Sequence, residues 1–156
     1  MNTKLSLSVM MINLVSERLL LTLWVGTLCA IGYLAVPMAF SVFDANVAGA
    51  YAGKLFAVVN MLGLACGGVL LLAKMLLLGK QVIYLWRFWV IVLMVFMTVI
   101  MAGYLQPHIA LIKQQLTGPA LHHSPSFKQY HAWSEILYLV ITLAGLALVV
   151  SQDRVR

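Results

Sequence analysis

Residues 19–43 read LLLTLWVGTLCAIGYLAVPMAFSVF, a run of 25 positions that holds no charged side chain. A helix rises about 1.5 Å per residue, so about 20 residues cross the roughly 30 Å hydrocarbon core of a bilayer. The run therefore predicts a membrane-spanning helix, with Pro37 near its far end, where a proline kinks or ends a helix. Three further segments read the same way: 50–78, 82–105 and 131–150. Lys54 and Lys74 flank the second, with stems long enough to snorkel to headgroups. Gly79-Lys80-Gln81 makes a tight turn after it. Trp86, Arg87 and Trp89 at the entry of the third segment, and Tyr104 at its exit, suit the two membrane interfaces. The expected fold is all-α: a membrane-spanning four-helix bundle that takes up residues 1–156 as one integral membrane domain.

Composition leads to the same solvent. Hydrophobic residues make up 63% of the 156 positions and charged residues 9%, with a mean hydropathy of +1.01. A soluble domain carries about a quarter charged residues, because its surface has to be hydrated. The ten Lys/Arg and four Asp/Glu here are too few for that. A formal charge of +6 invites a nucleic-acid reading, but the basic residues stand singly at the ends of apolar runs. Such placement fits cytoplasmic loops and lipid headgroups rather than a phosphate-binding stripe, so no nucleic-acid partner is expected. Cys29 and Cys66 both lie inside apolar runs without metal-ligand spacing and read as small buried hydrophobes.

The connecting segments are less regular. Residues 5–15 are apolar but short and broken by Ser6, Ser8 and Asn13, which suits an interfacial or extended leader. Glu17 and Arg18 interrupt any signal-peptide pattern, and no small-x-small cleavage site follows, so this end is expected to be retained. Residues 106–129 form a polar loop in which Ile109, Leu111, Ile112 and Leu116 predict a short amphipathic helix lying on the membrane. Lys4, Arg18, Lys74, Lys80, Arg87, Arg154 and Arg156 fall on one side and Lys54, Lys113 and Lys128 on the other. The positive-inside rule then places both termini in the cytoplasm and the 106–129 loop outside.

In lipid, helices meet where small residues admit close approach. Gly49, Gly53, Gly63 and Gly67, with Ala57 and Asn60, give the second helix such a face, and Gly53, Gly63 and Gly67 are expected against neighbours. Gly26, Ala30 and Gly32 do this for the first helix, and Ala144, Gly145 and Ala147 for the fourth. Asn60 is the one amide deep in a span, where a helix–helix hydrogen bond would account for it.

Among residues that carry chemistry, Glu135 is the most informative acid, one turn after His131 on the fourth helix. A carboxylate inside the membrane is costly and marks a functional site by default, or else an ion pair, here with Lys54. His131, Glu135, Lys54 and Tyr138 are the expected members of a small polar pocket near the outer surface, walled by Pro37 and Phe40. His108, His122 and His123 lie on the same side, and with Glu135 they are of the right type for zinc or copper. Adjacent histidines seldom converge on one ion, however, and no HExxH-type spacing is present, so a solvated loop explains them more simply. Haem needs axial ligands inside the bundle, and only His131 approaches a span. Met38, Met61, Met94, Met97 and Met101 read as packing. No cofactor is expected, and whether metal binds is left open.

One ordered pattern resembles a known family. Arg18, Leu-Trp24-x-Gly26, Gly32-Tyr33-x3-Pro37-x2-Phe40, Ala52-Gly53-Lys-Leu-Phe56 and Phe127-x3-His131-x2-Ser134-x2-Leu137-Tyr138 follow one another between about 18 and 150. Together they are similar to small bacterial membrane proteins of unknown function that resemble animal transmembrane protein 205. The resemblance implies four helices in the bacterial inner membrane, multi-pass, with no established enzymatic activity. It draws attention to Arg18, Trp24, Pro37, Phe40, Phe56, His131 and Tyr138. The animal relative's association with platinum-drug tolerance and vesicle trafficking hints at export. Three functions follow in order: a non-enzymatic accessory or scaffold subunit, an export component for a small molecule or metal ion, and a haem- or quinone-linked redox protein. The lipid bilayer is the expected partner, with another membrane protein or a second copy beside it.

Overall fold

The fold is that of a computed structural model, which describes residues 2–116 and 119–151, without the side chains of residues 2–14, Pro119 and His122. The side chains of Lys4 and His122, and all of Arg154 and Arg156, thus lie outside the description. Every element in it is helical: α1 (Asn2–Ala30), a π turn (Ile31–Ala35), α2 (Val36–Val42), α3 (Ala45–Leu78), a 3-10 turn (Gly79–Tyr84), α4 (Trp86–Ile100), a second π turn (Met101–Leu105), α5 (Gln106–Gln115), α6 (Pro119–His123) and α7 (Pro125–Val150). Joined through their π turns, these make four helices long and apolar enough to cross a membrane: Val15–Val42, Ala45–Tyr84, Trp86–Gln115 and Pro125–Val150. The protein is an all-α four-helix membrane bundle. α3 packs against α1 and α4, and α7 closes the ring against both, so chain neighbours are space neighbours throughout.

Four boundaries differ from expectation, each for a physical reason. The leader is not separate, because α1 is continuous from Asn2. α3 starts at Ala45 after the extended Asp44 rather than near 50. The third span does not stop at 105 either. A proline cannot donate to the carbonyl four residues back and clashes with it. Here the turn ahead of Pro107 widens instead, so that the Gln106 N–H reaches the Met101 carbonyl, five residues back. The same device precedes Pro37, where the Val36 N–H reaches the Ile31 carbonyl. Gly32-Tyr33-Leu34 lies in the first of these turns and Gly103-Tyr104-Leu105 in the second. As a result the amphipathic segment continues the third span as far as Gln115 rather than lying apart on the surface. The fourth helix begins at Pro125, with the Ser124 hydroxyl accepting from the Phe127 N–H at 3.4 Å as an N-cap.

Trp24, 1% exposed, is the centre of the core, with Leu21, Leu28, Cys66, Ile91, Met94 and Ile141 around it. The small residues of α3 serve this indole. A Cβ on Gly63 would stand 2.5 Å from Trp24 Nε1, and one on Gly67 would run into Val95 and the Trp24 ring. Gly145 leaves room for Val25 and Met94, and Gly32 for the Tyr138 ring. Gly26 and Gly53 behave otherwise, with nothing within 4 Å of an added Cβ. Ala57 and Ala147 are exposed. Asn60 is buried, and its Nδ2 makes no hydrogen bond among the described residues.

At the end of the bundle where α1 enters and α7 leaves, charge is paired inside the protein. Glu17 Oε2 accepts from Lys74 Nζ at 2.8 Å and Oε1 from the Arg87 guanidinium at 3.2 Å. Arg87, 6% exposed, also donates to the Leu148 carbonyl and to the Ser151 carbonyl and hydroxyl. Leu148 lies in the last turn of α7 and Ser151 is its C-cap, where carbonyls lack intrahelical donors, so Arg87 caps that helix. Lys74 and Arg87 are thus structural ties rather than headgroup anchors. Glu17, which looked like an interruption, joins α1 to α3 and α4.

Candidate functional site

The opposite end of the bundle is open. The two π turns, α2, the first turns of α3, α5 and the start of α7 surround a cavity of about 890 Å³. Its body is apolar and aromatic, with Tyr33, Phe40, Phe56, Phe127 and Tyr138 in its walls. Tyr138 holds the floor. Its hydroxyl donates to the Leu28 carbonyl at 2.7 Å, its ring lies against Gly32, and Phe56 meets it edge-on at 5.2 Å. The tyrosine thus ties α7 to α1 just below the first π turn, where any Cβ in place of the Gly32 hydrogen would collide with it.

Polar groups are few and sit on α3, α5 and α7. His131 Nε2 and Glu135 Oε1 are 3.2 Å apart, one turn apart on α7, with side chains 53% and 68% exposed. Phe127 stacks on the His131 ring at 5.4 Å. Ser134 also lines the cavity, its hydroxyl donating to the His131 carbonyl at 2.7 Å. Gln106, Ile109 and Lys113 recur at helical spacing and present one face of α5 to the cavity. Lys113 Nζ reaches across to the Gly49 carbonyl at 3.0 Å.

Of the residues singled out from the sequence, Pro37, Phe40, Phe56, His131, Glu135 and Tyr138 all line this cavity. Lys54 does not: it is exposed and forms no ion pair with Glu135 among the described residues, and the cation of the cavity is Lys113. Trp24 belongs to the core. Arg18 stands exposed at the other end, beside a small recess of about 200 Å³ that it shares with Arg87. His108 is held between Tyr104 and Tyr130, away from the cavity, and His123 is exposed. Among the described residues no three His, Cys, Asp or Glu side chains converge as metal ligands.

Lys113 was missed because it was counted only for its charge. The signal lay in Gln106, Ile109 and Lys113 at i, i+3 and i+7, legible once Pro107 is read as the first turn of a continuing helix. A cavity of this size, apolar with a few polar groups at its edge, has the make-up of a small-molecule site.

A family model described as a domain of unknown function (DUF4149) matches residues 19–118. The chain belongs to this DUF4149 family. The match takes in nearly all of the first three spans, both π turns and Lys113, so most of the cavity wall is built from DUF4149 sequence, with Leu121 of α6 and residues of α7 supplying the remainder. Comparison with curated proteins and with solved structures gives no match.

Proposed function

We propose that the protein is a non-enzymatic, multi-pass component of the bacterial inner membrane, with both termini cytoplasmic, and that it works as an accessory subunit by holding a largely apolar small molecule in the outer half of the bundle. The observation that carries this reading is the open aromatic cavity, which lies at the end of the bundle away from the Lys74 and Arg87 cluster. A role in small-molecule export is its more specific form, supported by the cavity and by the resemblance to animal transmembrane protein 205. A second copy or another membrane protein would be the partner to which such a subunit delivers.

The binding half is tested with an uncharged alkyl probe that carries a photoreactive diazirine. In the purified protein, labelling should concentrate on cavity residues such as Phe56 and Phe127 rather than spread over the lipid-facing surface. Gly53→Leu should fold normally, since nothing stands within 4 Å of a Cβ there, and should displace the label by filling the space. Uniform surface labelling in both proteins counts against a binding site.

Orientation is tested separately. A reporter active only in the cytoplasm should be active when fused after Arg156 and silent when inserted after Gly118, both outside the described residues. The reverse pattern would put the cavity on the cytoplasmic side.

A further inference from the structure

Among the described residues, no acid pairs with the cation in the cavity. Lys113 Nζ carries three donor hydrogens; one goes to the Gly49 carbonyl, and the described residues supply no acceptor for the others. The side chain is half-buried in the third membrane-spanning helix, where an ammonium without a counter-charge is costly and marks a site that something else completes. The nearest rival is Glu135, on the wall of the same cavity. Its carboxylate is engaged with His131 at 3.2 Å and forms no ion pair with Lys113. Gly49 contributes through its carbonyl, since a Cβ there would stand 3.6 Å from Nζ, an ordinary contact. The cavity thus joins an aromatic body to the positive charge of Lys113 at the last turn of α5.

We propose that the ligand of this cavity is an acidic amphiphile, whose hydrocarbon lies among Phe56, Phe127 and Tyr138 and whose carboxylate or phosphate head pairs with Lys113. The inference rests on the reading of the cavity as a small-molecule site and adds the head group to it. Binding needs no covalent step. The acid takes up the free Lys113 donors as charge-assisted hydrogen bonds, in surroundings where water competes weakly.

A matched pair of probes separates the two readings: a diazirine-bearing fatty acid and its methyl ester, titrated against the purified protein in a non-ionic detergent. The acid should label the cavity at a concentration about tenfold or more below the ester, the factor expected for one charge-assisted contact. Lys113→Gln should bring the acid to the level of the ester and leave the ester unchanged. Lys113→Arg should keep the preference, which guards against a variant that merely unfolds. Glu135→Gln, which removes the rival carboxylate, should hold or sharpen it. Unlabelled alkyl carboxylate and alkyl phosphate of equal chain length, used as competitors, identify the acid, and competition by neither overturns the proposal. Equal labelling by acid and ester in the native protein, or a preference that survives Lys113→Gln, also overturns it while leaving the apolar site standing. Failure of both probes to label the cavity removes both readings.

Discussion

Glu17→Gln should cost the bundle about 3–5 kcal/mol, a large part of the stability a domain of this size possesses. The native carboxylate is 14% exposed and shared by two cations, Lys74 at 2.8 Å and Arg87 at 3.2 Å. The amide is nearly isosteric, so packing is kept and the loss isolates charge. Lys74 then remains in a poorly hydrated place without the carboxylate it pairs with, and Arg87 loses one of its partners. A buried cation left without its carboxylate is the expensive case, whereas a hydrophobic replacement of the whole set is often tolerated. Two controls follow from the geometry. Lys74→Met in the Glu17→Gln background should recover part of the loss, because one unpaired cation is removed. Arg87 then still holds the Leu148 and Ser151 carbonyls. Thermal unfolding in detergent is the measurement. A Glu17→Gln protein as stable as the native one would mean that water or headgroups hydrate this cluster and that it ties nothing.

The four spans were legible because membrane insertion is decided by length and apolarity, which are local properties of the chain. What pairs with what is not local. Glu17 finds its partners 57 and 70 residues away, and at the level of sequence it looks only like a blemish in an apolar run. The end of the third helix failed for a related reason. A proline is read as a stop because the α-helical register cannot accept it, but the wider turns before Pro37 and Pro107 change the register instead. Ser124-Pro125 is a readable helix start inside the polar segment 106–129.

The same contrast runs through the cavity. Tyr138, His131, Phe56 and Phe40 were found through an ordered pattern, which carries spatial information that no single residue does. Lys54 is the cation the sequence offers for this pocket, and rotation about the helix axis takes it out of the cavity. Gly53 lines the cavity, whereas Lys54, about 100° further round α3, is exposed and outside it. A rotation of that size cannot be fixed from an apolar stripe as even as the one along this helix. The small-residue motif was also ambiguous: it foretold close packing but not whether the space would go to a backbone or to an indole.

That ambiguity gives the second large effect. Gly63→Leu should destabilise the protein by about 3 kcal/mol or more, at or above the upper end of the usual cost of overpacking. The added Cβ alone would stand 2.5 Å from Trp24 Nε1 and 2.9 Å from Cε2, and the rest of the leucine has to follow it. Trp24 cannot yield cheaply, because its ring is buried and also lies against Gly67. Gly53→Leu, ten residues earlier on the same helix, meets open space and should unfold within about 1 kcal/mol of the native protein. If close approach of backbones were the reason for these glycines, the two substitutions would differ little in kind. If room for Trp24 is the reason, the penalty at Gly63 has to depend on the indole. A double-mutant cycle reads this directly. Trp24→Ala by itself opens a cavity and should cost about 3–5 kcal/mol. In that background Gly63→Leu should cost much less than it does alone, because its side chain enters the space the indole has left. Additive losses at the two positions would show that Gly63 serves some other contact.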